Sequence, residues 1–290
     1  MALARRRRRI AIGAFLVLAA IAAAAAWWAL RPTPADVAKR FEERIATRFP
    51  DVQTSWLADD LARVSLPSGV MLDVTLARAK AACRSRPPAC TDQIDQLTGA
   101  IDRVTKLVRE PRADAVRAVI VGESAPGYRY GYITEPLIGP LEIRYALVDG
   151  DASTFITPAI AERLGVKPAA LRGLAVRQLE RGLGDSSDEG MKALTGEPGV
   201  FVAYSRSDPP SFLLSQARMK AFANDLGTQQ LYCAIPRRGL LFFAQADTAG
   251  REALQRAIAH VMPTGRRAAF DGVLVYDTAA APATALSALN

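Results

Sequence analysis

The chain has 290 residues, half of them apolar and 23% charged, with a formal net charge of +8. That apolar fraction excludes a disordered chain, and one histidine with three scattered cysteines leaves no convincing four-ligand zinc set and no haem site. Setting aside the arginines Arg5 to Arg9 leaves +3, an ordinary balance that gives no reason to expect a nucleic-acid partner.

The first predicted element is a membrane anchor. Arg5, Arg6, Arg7, Arg8 and Arg9 run into an uncharged apolar block, Ile10 to Leu30. At a rise of about 1.5 Å per residue a helix over that block reaches roughly 30 Å, the thickness of a bilayer's hydrocarbon core. Trp27 and Trp28 stand at its far end, where indoles favour the membrane interface. A signal peptide cleaved after Ala26 is the competing reading, but the block exceeds the roughly 7 to 15 residues of a typical signal core. Moving five guanidinium groups through lipid is costly, so residues 1–9 are expected to stay in the cytoplasm as a basic tail. Residues 10–30 then form a single-pass signal anchor in the inner membrane, and the globular region is exported. The tail's partner is membrane lipid, at about 1 kcal/mol per basic side chain beside anionic headgroups.

Behind the anchor the pattern predicts a mixed α+β globular region of short strands and amphipathic helices. A helix from Ala35 to Phe49 follows from Val37, Phe41, Ile45 and Phe49 at four-residue steps, with Pro34 and Asp36 in its first turn and Pro50 as its stop. Alternation over Leu61 to Leu66 and Val70 to Leu76, separated by Pro67, Ser68 and Gly69, predicts a hairpin. If this part is exported, Cys83 and Cys90 close a short disulfide loop over Pro87 and Pro88; otherwise they are small thiols in a helical corner. A helix from Thr91 to Arg109, capped by Thr91, places Ile94, Leu97, Ile101, Val104 and Val108 on one stripe. Pro111 to Asp114 marks the end of an N-terminal α+β subdomain, residues 31–112.

Residues 113–277 read as a second α+β subdomain. Strands are expected at Val116 to Val121, Tyr128 to Thr134, Leu141 to Val148 and Thr154 to Ile156, followed by helices Pro158 to Leu164 and Pro168 to Gly182. Then come a strand Gly199 to Tyr204, a helix Ser211 to Leu226, strands Gln230 to Pro236 and Gly239 to Gln245, a helix Thr248 to Val261, and a strand Gly272 to Tyr276. Cys233, inside an apolar run, reads as core. The alanine-rich residues 278–290 are expected to be a disordered tail.

Pro136 to Leu183, PLIGPLEIRYALVDGDASTFITPAIAERLGVKPAALRGLAVRQLERGL, and Leu231 to Val261, LYCAIPRRGLLFFAQADTAGREALQRAIAHV, carry a resemblance. Over these segments the chain resembles the YtpQ-like family of bacterial proteins, a domain of unknown function. The resemblance implies an α+β domain with no established activity. Ala175, Val176, Arg177, Gln178 and Leu179 stand at a motif that carries asparagine where this chain has Gln178, and Gly239 stands where a polar turn residue is expected. Both departures argue against a functional role for those polar positions.

Candidate chemistry falls short at identifiable points. Gly122, Glu123, Ser124, Ala125 and Pro126 approach a nucleophile elbow, but Pro126 replaces the second glycine and the following residues read as strand, not helix. The single histidine, His260, sits at a helix C-terminus, where the helix dipole accounts for it. Asp185, Ser187, Glu189 and Gly190 begin a calcium-loop spacing, yet its twelfth position is Gly196. Gly182 and Gly184 begin a dinucleotide fingerprint that Ser187 breaks. Tyr128, Tyr130 and Tyr132 alternate on one strand face, either sheet packing or a surface for peptide or glycan. No catalytic, cofactor-binding or metal residue is therefore assigned. The sequence reads as a membrane-anchored envelope protein with a binding or scaffolding domain for another envelope protein or a cell-wall polymer. The alternatives are an exported hydrolase-like enzyme and a membrane-proximal assembly factor acting through its first helix.

Overall fold

The computed structural model describes residues 34–85, 87–122, 131–150, 152–181, 189–205, 208–262, 270, 272–281 and 284–289. The predicted anchor, with Arg5 to Arg9, Trp27 and Trp28, lies outside them. Among the described residues no helix is long and apolar enough to cross a membrane. The chain divides into two compact units, Met1–Thr105 and Lys106–Asn290. The division falls inside a helix, a few residues before the Pro111 to Asp114 turn where the sequence suggested it.

In the first unit, helix α1 (Pro34–Arg48) buries Val37, Phe41 and Ile45 almost completely. Each such side chain is worth about 1.5–3 kcal/mol of apolar burial, which holds a helix whose other face is solvated. A three-stranded antiparallel sheet follows in the order β1 (Gln53–Ala58), β2 (Leu61–Ser65), β3 (Met71–Thr75). The predicted hairpin is β2 with β3, where Arg63 and Asp73 face each other across the strands and pair at 2.8 Å. β1 escapes the sequence pattern because it is an almost wholly exposed edge strand without alternation. Helix α2 (Ala77–Ser85) and helix α3 (Pro87–Arg109) are joined by a disulfide between Cys83 and Cys90, with Cα atoms 4.4 Å apart. α3 starts at Pro87, a turn before the expected cap Thr91, because proline suits a first helical turn. Arg44 of α1 donates Nε and Nη2 to Asp95 of α3.

The second unit is built on two sheets. The smaller pairs β4 (Val116–Val121), β6 (Leu141–Asp149) and β5 (Thr134–Ile138) in that order, with β7 (Ala152–Phe155) also on β6. Residues 128–130 of the strand expected over Tyr128 to Thr134 are outside the described part, and β5 instead begins at Thr134 and runs through Pro136. The proline is tolerated because, among the described residues, β5 pairs only with β6 and its register shifts there. One face of this sheet, with Val116, Ala118, Ile120, Ile143, Tyr145 and Leu147, is buried. Helix α4 (Pro158–Arg163), capped by Thr157, and helix α5 (Leu171–Arg181) follow, the latter preceded by a 3-10 turn at Pro168–Ala170 instead of one continuous helix from Pro168.

The larger sheet has six strands in the order β13 (Leu286–Ala288), β12 (Leu274–Asp277), β10 (Gln230–Arg237), β11 (Leu240–Gln245), β9 (Phe201–Tyr204), β8 (Gly190–Ala193). Its two faces alternate residue by residue. Leu231, Cys233, Ile235, Leu241 and Phe243 enter a core shared with Ile120, Leu141 and Leu179. Phe212 and Leu213 of a 3-10 turn (Pro209–Leu214) and Met219 and Phe222 of helix α6 (Gln216–Asp225) complete that core. The expected helix from Ser211 is interrupted because Ser215 caps α6, accepting the Arg218 N–H. Ala234, Phe242 and Ala244 point the other way, onto Ala253, Leu254 and Ala257 of helix α7 (Thr248–Val261). Gly250 is required there, since a Cβ would collide with the Gln245 carbonyl oxygen. The expectation of a disordered tail needs correction: Leu286–Ala288 forms the edge strand β13, hydrogen-bonded to β12.

Candidate functional site

The second face of the smaller sheet is not apolar throughout. Register places Arg117 of β4 opposite Ala146 of β6, and Ala146 opposite Phe155 of β7. Because alternate residues share a face, Arg117, Val119, Ala146, Val148, Ser153 and Phe155 lie together. Ala146 is the small member between two large neighbours, and a groove of about 370 Å³ opens above it. That volume is at the lower end for clefts that take small molecules. Asp208, from the segment between β9 and the Pro209–Leu214 turn, and Arg238, from the turn between β10 and β11, complete the walls.

Each polar group is placed by an identifiable local cause. Asp208 accepts the Ile120 N–H at 3.0 Å, occupying the side of β4 that faces away from β6. Burial pushes its carboxyl up to about 6, against the opposing pull of that hydrogen bond and of the Arg238 charge. Arg117 donates Nη1 to the carbonyls of Asp114 and Val116 at 2.6 and 2.9 Å, which fixes its guanidinium at the base of the strand. Burial lowers its pKa from the ordinary arginine value, while Asp114 and Glu189 pull it back up. Arg238 is exposed on a two-residue turn whose second residue, Gly239, has φ 74°, a conformation that a side chain resists. That conformation accounts for glycine at position 239, where a polar turn residue would be strained. The Arg238 guanidinium lies 5.9 Å from the Phe155 ring centre, Arg144 lies 5.8 Å from it, and the Tyr132 ring stands 5.0 Å away. A planar cation resting on an aromatic ring keeps its donor edge available for an acid.

Other polar clusters of this unit are engaged in holding the fold. Arg218, 3% exposed, donates to the Leu179 carbonyl at the end of α5 and to Glu189, and lies 4.8 Å from the Phe212 ring centre. Tyr145 donates to Glu135, which also pairs with Arg172. Gln178 donates to the Ala113 carbonyl, so its amide serves a structural bond. A smaller cleft of about 280 Å³ beside α7 has Arg251 as its charged side chain.

The residues singled out in the sequence are dispersed. Ser124, Tyr128, Tyr130, Asp185 and Ser187 lie outside the described residues. His260 is exposed in the last turn of α7. Glu189, from the broken calcium-loop spacing, has its side chain 18% exposed and facing Arg218 and Ser205. Cys233 is fully buried, and burial pushes its thiol far up. Among the described residues no group of three or more His, Cys, Asp or Glu is placed to hold a metal ion. Arg117, Asp208 and Arg238 went unnoticed in the sequence, since 91 positions separate Arg117 from Asp208 and each sits in an unremarkable context. The available signals were a lone charge in the strand VRAVIV and an aspartate before Pro209 and Pro210. Comparison with protein-family models, with curated proteins and with solved structures finds no match to this chain.

Proposed function

We propose that this protein is a membrane-tethered binding domain of the bacterial envelope, with the groove above Ala146 as its ligand-binding surface. Arg5 to Leu30 serves as the anchor, residues 1–9 stay in the cytoplasm, and both units are exported. We further propose kinship with the YtpQ-like family. The two segments that carry the resemblance supply Ala146, Val148, Ser153, Phe155 and Arg238, most of the groove. The observation that carries the binding reading is that two arginines, an aspartate and hydroxyl side chains line one cleft together with the apolar Val119, Ala146, Val148 and Phe155.

Ligand-observed NMR with a library of small polar fragments tests this on the full chain in a non-ionic detergent. Ser153 is exposed at the rim, so Ser153→Trp closes the groove without entering the core. Fragments bound by the wild type are expected to lose their signal with Ser153→Trp. The same fragments bound equally by both proteins would remove the groove from the reading.

A further inference from the structure

The charges that line the groove define what it can hold. Two guanidinium groups and one carboxylate line it and give +1, and Arg144, on the same Phe155 ring, is offset by its ion pair with Glu142. The other acids that act on Arg117 have partners of their own, since Glu189 pairs with Arg218 and Asp114 with Arg112. A single negative charge is therefore matched, whereas a dianion would bring an unpaired charge into a half-buried cleft and against Asp208. The cation donors are both arginines, whose forked edges fit the two oxygens of a carboxylate. Asp208, which lines the cleft, spends Oδ2 on the Ile120 N–H, and a carboxylate has a second oxygen with which to accept a hydroxyl. Val119, Val148 and Phe155 offer surfaces for C–H faces, and the rim at Gly150 and Ser153 is exposed to solvent.

We propose that the groove binds a monoanionic, hydroxyl-bearing carboxylate, the chemistry of a sugar acid, with its carboxylate between Arg117 and Arg238 and a hydroxyl donated to Asp208. This rests on the groove being a binding surface and names the class it selects. The open rim lets the sugar acid be either a free monosaccharide or a unit of a longer acidic glycan.

Isothermal titration calorimetry of the full chain in non-ionic detergent, with D-glucuronate, D-glucose and D-glucose 1-phosphate, tests the assignment. Glucuronate is expected to bind, and glucose to bind at least about 10-fold more weakly, as loss of a charge-assisted hydrogen bond requires. Glucose 1-phosphate should also be weaker than glucuronate. Arg238→Ala, at an exposed turn, should weaken glucuronate by about 10-fold with only a small fall in melting temperature from the lost attraction to Asp208, and Arg238→Lys should recover only part of the affinity. An oligoglucuronate that binds more tightly than the monosaccharide would identify the glycan source, and equal affinity per unit the free acid. Glucose or its phosphate binding as tightly as glucuronate, no binding by any of the three, or an unaffected Arg238→Ala protein would overturn the class. If the fragments displaced by Ser153→Trp persist in that case, the groove remains a binding surface for other chemistry; if they do not, both readings fall.

Discussion

Asp208 concentrates two demands that pull against each other. Its carboxyl is raised from 3.8 to about 6 by burial, so the folded protein holds the proton more tightly than the unfolded chain does. Ionisation therefore opposes folding: the destabilisation is absent below about pH 4, grows between about 4 and 6, and is complete above that. Asp208→Asn keeps an oxygen for the Ile120 N–H and removes the charge. It is expected to stabilise the protein by about 1–2 kcal/mol at pH 7.5, after discounting for partial exposure, and by nothing at pH 3.5, as measured by urea denaturation. A less stable Asp208→Asn protein at pH 7.5 would mean that the Arg238 attraction outweighs desolvation.

Between elements, Arg218 is the joint that fixes α5 and α6. It enters the interior because one guanidinium can satisfy the orphan Leu179 carbonyl at a helix end, neutralise Glu189 and lie on Phe212 at once. Arg218→Ala leaves the carbonyl and the acid without that partner and is expected to cost about 3–5 kcal/mol in chemical denaturation. A loss near zero would show that water replaces the guanidinium freely. Elements with a strong period were legible in the sequence: α1, the β2–β3 hairpin, α3 and α7 follow from apolar spacing and turn residues. β1, β8 and β13 were not, because short or exposed edge strands need no apolar alternation and are specified by the neighbour they pair with. β5 was hidden by Pro136, which reads as a breaker until the edge position is known.

For the whole molecule, location and redox state are linked. The Cys83–Cys90 disulfide of the first unit suits an oxidising compartment, as export behind the basic tail would provide. An alkaline phosphatase reporter fused after Asn290 is expected to be active in whole cells, and Cys83 and Cys90 to resist alkylation until a reductant is added. An inactive reporter with freely alkylated cysteines would reverse the topology. The sequence by itself determined the α+β class, the amphipathic faces and the basic-apolar start, because those depend on local composition and period. Only the tertiary structure decided the groove. Arg117 and Asp208, 91 positions apart, meet because β4 leaves one edge open and a loop from the other sheet closes it, while Arg238 arrives on a turn that Gly239 shapes. Such convergence follows from which strands pair, and pairing over that distance is set by the packing of the shared core, which leaves no local signature in the chain.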